Sequence, residues 1–283
     1  MADPTAAAAN PSSVATPEPV MPDAPGLGGR TLLTQSWLDL AFLHWAVAPE
    51  VVAPLLPVGA APDVIDGVTY VGLIAFRMHR IGWLGLPGLP YLGSFPETNV
   101  RLYSVDAHGR RGVVFRSLEA SRLLPVLAAR IGFRLPYVWA KMSVRRDRSR
   151  SGNSSDIADI SGDVLDYTSR RRWPGPVGAR SSIGIRIGAP VDDPTPVEHF
   201  VTARWGLHNA WFGRPIYLPN EHPRWPLYRA ELLHYDEDLI CAAGLPQPAG
   251  PPDSVLYSPG VPVRFGAPAR RPERPGRAPR AVA

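Results

Sequence analysis

Chemically reactive side chains fall at every second position of residues 94–106, SFPETNVRLYSVD. If this segment is a β-strand, successive side chains point to opposite faces. One face then carries Phe95 followed by Glu97, Asn99, Arg101 and Tyr103, whereas the opposite face is small or apolar. A carboxyl group, an amide, a guanidinium and a phenol would line a polar pocket if that face points into a closed barrel. If the face points to water, the same pattern describes an ordinary half-buried strand.

A second predicted strand, residues 135–144, also carries functional groups on one face. Tyr137, Trp139 and Lys141 alternate there with smaller or apolar residues. Lys141 is the only lysine among 30 lysine and arginine residues. It is either one more surface cation or an amine kept for its chemistry, because a lysine can form a Schiff base with a carbonyl compound and an arginine cannot. Arg116, on the return strand after residue 106, is a further candidate.

The composition predicts one β-rich domain between two unstructured ends. The chain has 283 residues, of which 45% are hydrophobic, and a formal net charge of +5. Residues 1–29 are rich in proline and alanine and residues 269–283 in arginine and proline, so both are predicted to be disordered tails. A single domain of residues 30–268 remains. The tail arginines have no interleaved aromatic residues, so we predict no nucleic-acid partner.

Several classes of site are not predicted. The single cysteine, Cys241, excludes a disulfide within the chain and a cysteine-based metal site. The seven histidines show no metal-ligand spacing, and the chain has neither a phosphate-binding glycine loop nor a Gly-x-Ser-x-Gly motif, so we predict no metal and no organic cofactor. The sequence has no secretion signal and no run of 18 apolar residues, which predicts a cytoplasmic protein without a membrane segment. The oligomeric state stays open.

The pattern of predicted elements favours an all-β or β-rich α+β barrel or sandwich. We count nine or ten predicted strands and only short helices. Residues 68–78 are apolar on both faces, which predicts a strand buried on both sides. Residues 82–93 are rich in glycine and proline and are predicted to be a loop, either a flap over a pocket or a packed surface loop.

Six short motifs follow one another along the chain. They are FLHWAV at 42–47, LLP at 55–57, DGVTYVGLIAFRM at 66–78, FPETNVRLYS at 95–104, LPYVWAKM at 135–142 and FVTARWGLH at 200–208. Together they resemble the uncharacterised YqjF-like family of the acetoacetate-decarboxylase-like superfamily, over residues 30–268. The resemblance implies a large closed β-barrel with a few short helices and a solvent-poor cavity, which the polar faces described above would line.

The resemblance also implies a catalytic lysine that this sequence lacks at the matching position. In acetoacetate decarboxylases a Gly-Phe-Pro-Lys-Lys segment supplies the Schiff-base lysine. The matching segment here is GFRLPYV at 132–138, which places Tyr137 where that lysine is expected. The nearest lysine is Lys141, which can take part only if it faces the cavity.

The sequence leaves three functions open. In the first, the barrel binds a small organic acid or carbonyl compound and acts as a cofactor-independent lyase, hydratase or isomerase. Arg101 then clamps a carboxylate, Glu97 is a general acid or base, and Tyr137 or Lys141 completes the catalytic set. The other predicted substrate-binding residues are Asn99, Tyr103, Arg116 and Trp139. In the second function the same pocket binds a ligand without turnover. In the third, Glu97 and Arg101 form only a cross-strand salt bridge in a structural or interaction module.

Overall fold

A computed structural model describes residues 16–84, 93–123, 134–148 and 160–268. The strands are β1 (Thr31–Val47), β2 (Ala60–Pro62), β3 (Thr69–Trp83), β4 (Phe95–Asp106), β5 (Arg111–Ala120), β6 (Tyr137–Asp147), β7 (Val164–Trp173), β8 (Arg180–Pro190), β9 (Gly206–Trp211), β10 (Arg214–Glu221), β11 (Tyr228–Glu237) and β12 (Ser254–Gly266). The helices are α1 (Pro49–Val52), a 3₁₀ turn (Ala53–Leu55), α2 (Pro196–Thr202) and α3 (Leu239–Ala242). None of these helices is long and apolar enough to cross a membrane.

The strands of the described residues form one sheet that closes on itself. Nine of them follow in the order β4-β5-β6-β7-β8-β11-β12-β1-β3 and return to β4. β5 pairs in parallel with β6 and with β9, and the other neighbouring strands are antiparallel. The closed mixed barrel with a few short helices confirms the fold class predicted from the sequence.

β5 and β12 each pair with two different strands along one edge, one strand near each end. Residues Leu118–Ala120 of β5 pair with β6, whereas Val113 pairs with β9. In the same way Tyr257 of β12 pairs with β11, whereas Phe265 pairs with β10. The β9–β10 hairpin therefore closes a second, smaller ring that uses the same five strands, β12-β1-β3-β4-β5. We call these five strands the shared wall.

The two faces of the shared wall are both buried, but against different partners. Leu43, Leu73 and Leu102 belong to the hydrophobic core of the larger ring, together with residues of β7 and β8. Their neighbours Phe42 and Ile74 point the other way, into the compartment of the smaller ring. Because both faces are covered, β3 is buried from Thr69 through Phe76, as its uniformly apolar sequence predicts.

Residues 16–29 lie along the barrel surface. The indole N–H of Trp205 donates to the carbonyl oxygen of Met21 at 2.8 Å, and the backbone N–H of Leu27 donates to Glu221 at 3.0 Å. These hydrogen bonds attach this part of the chain to the barrel. Predicted features outside the described residues include the ends 1–15 and 269–283 and most of the loop 82–93.

Gly260 is required for the close contact between β12 and β1. Its φ is +123°, and a Cβ at this position would lie 2.0 Å from the carbonyl oxygen of Trp37 and 2.8 Å from Cα of Leu38. We expect Gly260→Ala to lower the free energy of unfolding by at least ~2 kcal/mol, because backbone atoms would have to move. Urea denaturation measures this change.

Gly250→Ala is the matched control for this substitution. Nothing lies within 4 Å of the added Cβ there, so its effect should stay below about 1 kcal/mol. Similar small effects in both variants would show that the contact between β1 and β12 tolerates a side chain.

Candidate ligand-binding site

The compartment of the smaller ring contains a cavity of about 120 Å³. This volume is close to that of engineered protein cavities that take up benzene, about 150 Å³. The polar side chains in the lining are Gln35, Glu97, Asn99, Arg101 and Tyr137. Aromatic and aliphatic residues complete it, among them Trp37, Phe42, Phe76, Phe115 and Trp225. The face of β4 that the sequence pattern identifies therefore points into an enclosed space, and three of its four polar residues line the cavity.

Arg101 is held in place by its neighbours but is not neutralised by them. Its Nε–H donates to the hydroxyl oxygen of Tyr103 at 3.0 Å, and an Nη2–H donates to the carbonyl oxygen of Val201 at 2.8 Å. These bonds use two of the five N–H donors of a guanidinium. No carboxylate of the described residues lies within salt-bridge distance of Arg101, although the residue is only 9% exposed.

Tyr103 lies behind Arg101 and positions it. Its hydroxyl accepts from Arg101, donates to Val201 at 2.8 Å and lies 2.6 Å from Nε2 of His44. Because the only hydroxyl hydrogen is used by Val201, Nε2 of His44 must carry the hydrogen of that third bond. Burial, followed by the charges of Arg101 and Arg204, lowers the pKa of His44 well below its ordinary value and keeps the imidazole neutral. Tyr103 thus supports the predicted substrate-binding arginine rather than lining the cavity.

Gly72 of β3 leaves room for this arrangement. It pairs directly with Arg101 across the two strands. A Cβ on Gly72 would lie 3.1 Å from Cγ of Arg101 and 3.1 Å from Cδ2 of His44. A side chain here would push both groups aside, so glycine allows the arginine stem and the imidazole to pack over the backbone of β3.

Glu97 lies toward the other end of the polar face of β4. It is buried and accepts a hydrogen bond from the hydroxyl of Tyr137 at 3.1 Å. Burial raises the pKa of Glu97 to about 8; hydrogen bonds from Tyr137 and Asn99 oppose this rise, and the charge of Glu119 adds to it. The carboxyl group is therefore protonated near pH 7 and can donate a hydrogen bond or a proton to a ligand oxygen.

Two polar atoms of the lining have no hydrogen-bond partner in the described part of the chain. They are Nε1 of Trp37, a donor, and Oδ1 of Asn99, an acceptor. Since buried polar atoms are normally hydrogen-bonded, both are available to a ligand or to water. Among the described residues, no group of three or more histidine, cysteine, aspartate or glutamate side chains is placed to hold a metal ion.

Lys141, a predicted catalytic residue, lies outside the cavity. It shares a face of β6 with Tyr137 and Trp139, as the alternation predicts. However, exposure rises along this face, from the partly buried Tyr137 and Trp139 to the exposed Lys141. Only the first residues of β6 are covered by the smaller compartment, because β6 pairs with β5 only through Trp139. Lys141 is a surface cation.

Arg116 and Trp139 are also predicted substrate-binding residues that do not line the cavity. The register between β4 and β5 shifts at Arg101, which makes Arg116 the extra residue of a bulge. Its guanidinium donates to the carbonyl oxygens of Leu55 and Ala243, at 3.2 and 3.3 Å. Trp139 packs under the guanidinium of Arg172, 4.9 Å from its ring centroid.

Gln35, Trp37 and Trp225 are among the lining residues that were not predicted from the sequence. Gln35 and Trp37 alternate on β1 in the same way as the polar residues of β4, so their spacing was a usable signal. Trp225 lies between β10 and β11 and has no periodic pattern around it. It lines the cavity because its indole packs against Trp37 and Phe42 of β1, with ring centroids 6.0 and 5.2 Å away.

Comparisons with known proteins place the chain in a family. A family model described as an uncharacterized conserved protein, DUF2071, matches residues 34–262. The chain belongs to the DUF2071 family. It is also 28% identical over 225 residues to the uncharacterized protein YqjF of Bacillus subtilis, which covers 79% of this chain and 86% of that protein. The family resemblance carried by the six sequence motifs is therefore confirmed.

Solved structures with the same fold are acetoacetate-decarboxylase-like. An acetoacetate decarboxylase-like enzyme from Sphingomonas wittichii RW1 matches with a TM-score of 0.54 and 15% identity, over 86% of this chain and 93% of that chain. The enduracididine biosynthesis enzyme MppR complexed with pyruvate matches with a TM-score of 0.50 and 14% identity, over 83% and 86% of the two chains. At these identities the likeness shows the fold alone, and it confirms the barrel type that the resemblance implied.

The hydrogen bond from Tyr137 should be measurable in the titration of Glu97. Tyr137→Phe removes a bond that favours the ionised carboxylate, so the pKa of Glu97 should rise further, by up to about one unit. Carboxyl ¹³C NMR measures this pKa, and Glu97→Gln identifies the signal.

Tyr235→Phe is the matched control, because Tyr235 donates in the same way to Glu237 at 2.8 Å, outside the cavity. It should leave the pKa of Glu97 unchanged. A pKa of Glu97 that stays constant or falls in Tyr137→Phe would contradict the geometry described here.

Proposed function

We propose that the cavity binds a small organic monocarboxylate through Arg101 and that Glu97 acts on it as a general acid. The observation that supports this most directly is the buried guanidinium of Arg101, which no carboxylate of the described residues neutralises. A buried charge without a counter-ion is costly, and an anionic ligand would remove that cost. The N–H groups of Nη1 and the second N–H of Nη2 remain to bind both oxygens of a carboxylate.

Because the carboxyl of Glu97 is protonated near pH 7, it can act as an acid on a ligand oxygen outside the carboxylate that Arg101 binds. The protonated carboxyl can transfer a proton to a carbonyl or hydroxyl oxygen, and the hydroxyl of Tyr137 then stabilises the resulting carboxylate. The reaction classes are those of a lyase, hydratase or isomerase that needs no organic cofactor. A Schiff-base route is not part of this proposal, because the only lysine is exposed. The complex of the similarly folded enzyme MppR with pyruvate is in keeping with a small carboxylate.

A ligand-binding protein without turnover is the second candidate. Tyr137 stands where the family resemblance implies a catalytic lysine, and the described lining contains no lysine, cysteine, serine or histidine that could act as a nucleophile. Glu97→Gln separates the two candidates: an enzyme would keep ligand binding and lose turnover. The third possibility, a cross-strand salt bridge in a module without a site, has less support. Arg101 forms no ion pair with Glu97 in the described structure, and both residues line the cavity.

Arg101→Gln should weaken the binding of monocarboxylates about ten- to a hundredfold. A charge-assisted bidentate pair is worth about 1.5–3 kcal/mol, which corresponds to that range. Isothermal titration calorimetry with 2-oxo, 3-oxo and saturated monocarboxylates measures the loss. The neutral amides of the same acids should bind the unaltered protein weakly.

Arg116→Gln is the matched control, because it removes the same charge from the neighbouring strand outside the cavity. It should leave the affinities unchanged. Full affinity in Arg101→Gln, or the same loss in both variants, would exclude the carboxylate clamp.

The affinity for a monocarboxylate should fall above about pH 8. The ligand is anionic throughout, whereas Glu97 is neutral below its pKa of about 8 and negative above it. Ionised Glu97 repels the ligand, so the logarithm of the affinity should fall by up to about one per pH unit above the pKa. Glu97→Gln cannot ionise and should bind equally well from about pH 6 to pH 10. A parallel fall in the variant would assign the pH dependence to another group.

A further inference from the structure

We infer that the preferred ligand is a monocarboxylate with an apolar, ring-sized tail, of the class of aryl-substituted 2-oxo acids. The inference rests on the proposed function and specifies the substrate class of the same cavity. It comes from the distribution of charged, polar and apolar groups around Arg101.

The polar groups that contact a ligand lie mainly along one strand. Arg101, Asn99 and Glu97 follow one another on β4, so a carboxylate on Arg101 places the rest of the ligand beside Asn99. At this level the neighbouring strands contribute Ile74 of β3 and Leu118 of β5, which both pair with Asn99. The ligand therefore has its polar atoms against β4 and aliphatic groups on both sides.

The wall opposite β4 is apolar as well. Leu207 of β9 and Leu218 of β10 line it together with Trp225. The indole N–H of Trp225 is already bonded to the carbonyl oxygen of Thr202 at 3.0 Å, so it leaves no polar atom for a ligand. A three-carbon acid would leave much of this surface in contact with water, whereas an aromatic ring would cover it.

The charges of the lining admit one carboxylate. Arg101 is the only lysine or arginine among the described lining residues. A second carboxylate on the ligand would be buried near Asn99 and Glu97 without a cation to balance it, which is strongly unfavourable. The residues beside Asn99, Ile74 and Leu118, are aliphatic, so the tail is better matched by an apolar ring than by a second acid.

The test compares three acids that share the 2-oxo acid head: phenylpyruvate, pyruvate and 2-oxoglutarate. Their dissociation constants are measured by isothermal titration calorimetry on the full chain at about pH 7. Phenylpyruvate should bind at least about tenfold more tightly than pyruvate, because a ring is removed from water. 2-Oxoglutarate should bind more weakly than pyruvate. Arg101→Gln should weaken phenylpyruvate and pyruvate by the same factor.

The outcomes separate the inference from the proposed function. Pyruvate binding as tightly as phenylpyruvate, with Arg101→Gln still lowering both affinities, overturns the inference and leaves the proposed function standing. Binding that Arg101→Gln does not change, or the absence of binding by any of the three acids, overturns the proposed function and the inference with it.

A cavity-filling variant locates the tail. Leu118→Phe adds volume beside Asn99 and should weaken phenylpyruvate at least about tenfold while changing pyruvate less than about twofold. Leu233→Phe, the same change on an exposed position of β11, should alter neither. Equal losses for both acids in a folded Leu118→Phe protein would overturn the assigned position of the ring. Circular dichroism checks folding, and the acid series on the unaltered protein decides the inference if this variant does not fold.

Discussion

Five strands serve two closed rings at once, and the rest of the structure depends on this sharing. Each edge of the shared wall has two partners, because β5 is divided between β6 and β9 and β12 between β11 and β10. A strand in this wall buries both of its faces where both rings cover it, as β3 does from Thr69 through Phe76. One face fills the hydrophobic core of the larger ring, and the other is left to line a cavity. A polar row on β4 can therefore become an enclosed site without disturbing the main core.

One of the hydrogen bonds that hold Arg101 is accepted by α2, a helix whose start is fixed by its own local sequence. α2 begins with a capping box, in which Thr195 and Glu198 each accept a hydrogen bond from the backbone N–H of the other, at 3.2 and 2.8 Å. This fixes the start of the helix, whose later carbonyl at Val201 accepts from both Arg101 and Tyr103. A guanidinium held by a hydroxyl and a carbonyl stays in one position but keeps its charge. The fold thus preserves a cation that no carboxylate of the described residues neutralises.

The sequence resemblance places Tyr137 where acetoacetate decarboxylases are expected to carry a lysine, and a tyrosine there has different chemistry. A tyrosine hydroxyl cannot form a Schiff base, but it can donate to a carboxyl group, and here it donates to Glu97. Burial makes that carboxyl a weak acid near neutral pH. The described cavity lining therefore combines hydrogen-bonding groups, one arginine and a neutral acid, and contains no lysine.

The sequence by itself determined the fold class and the central part of the site. Alternation in β4 identified Glu97, Asn99 and Arg101, because the side-chain period of a strand is local and does not depend on its partners. The apolar run of β3 likewise predicted burial on both faces. By contrast β9 and β10, which contain few of the apolar alternations that mark strands, were not predicted.

Only the tertiary structure decided which residues of a correctly predicted face are covered. Tyr137 and Lys141 share a face of β6, yet only Tyr137 lies within the reach of the smaller ring. Arg116 is itself the extra residue of a bulge in β5, which interrupts the alternation of side chains, and it does not line the cavity. Periodicity gives the direction of a side chain, but the extent of the pairing between distant strands determines whether that direction leads to a cavity or to solvent.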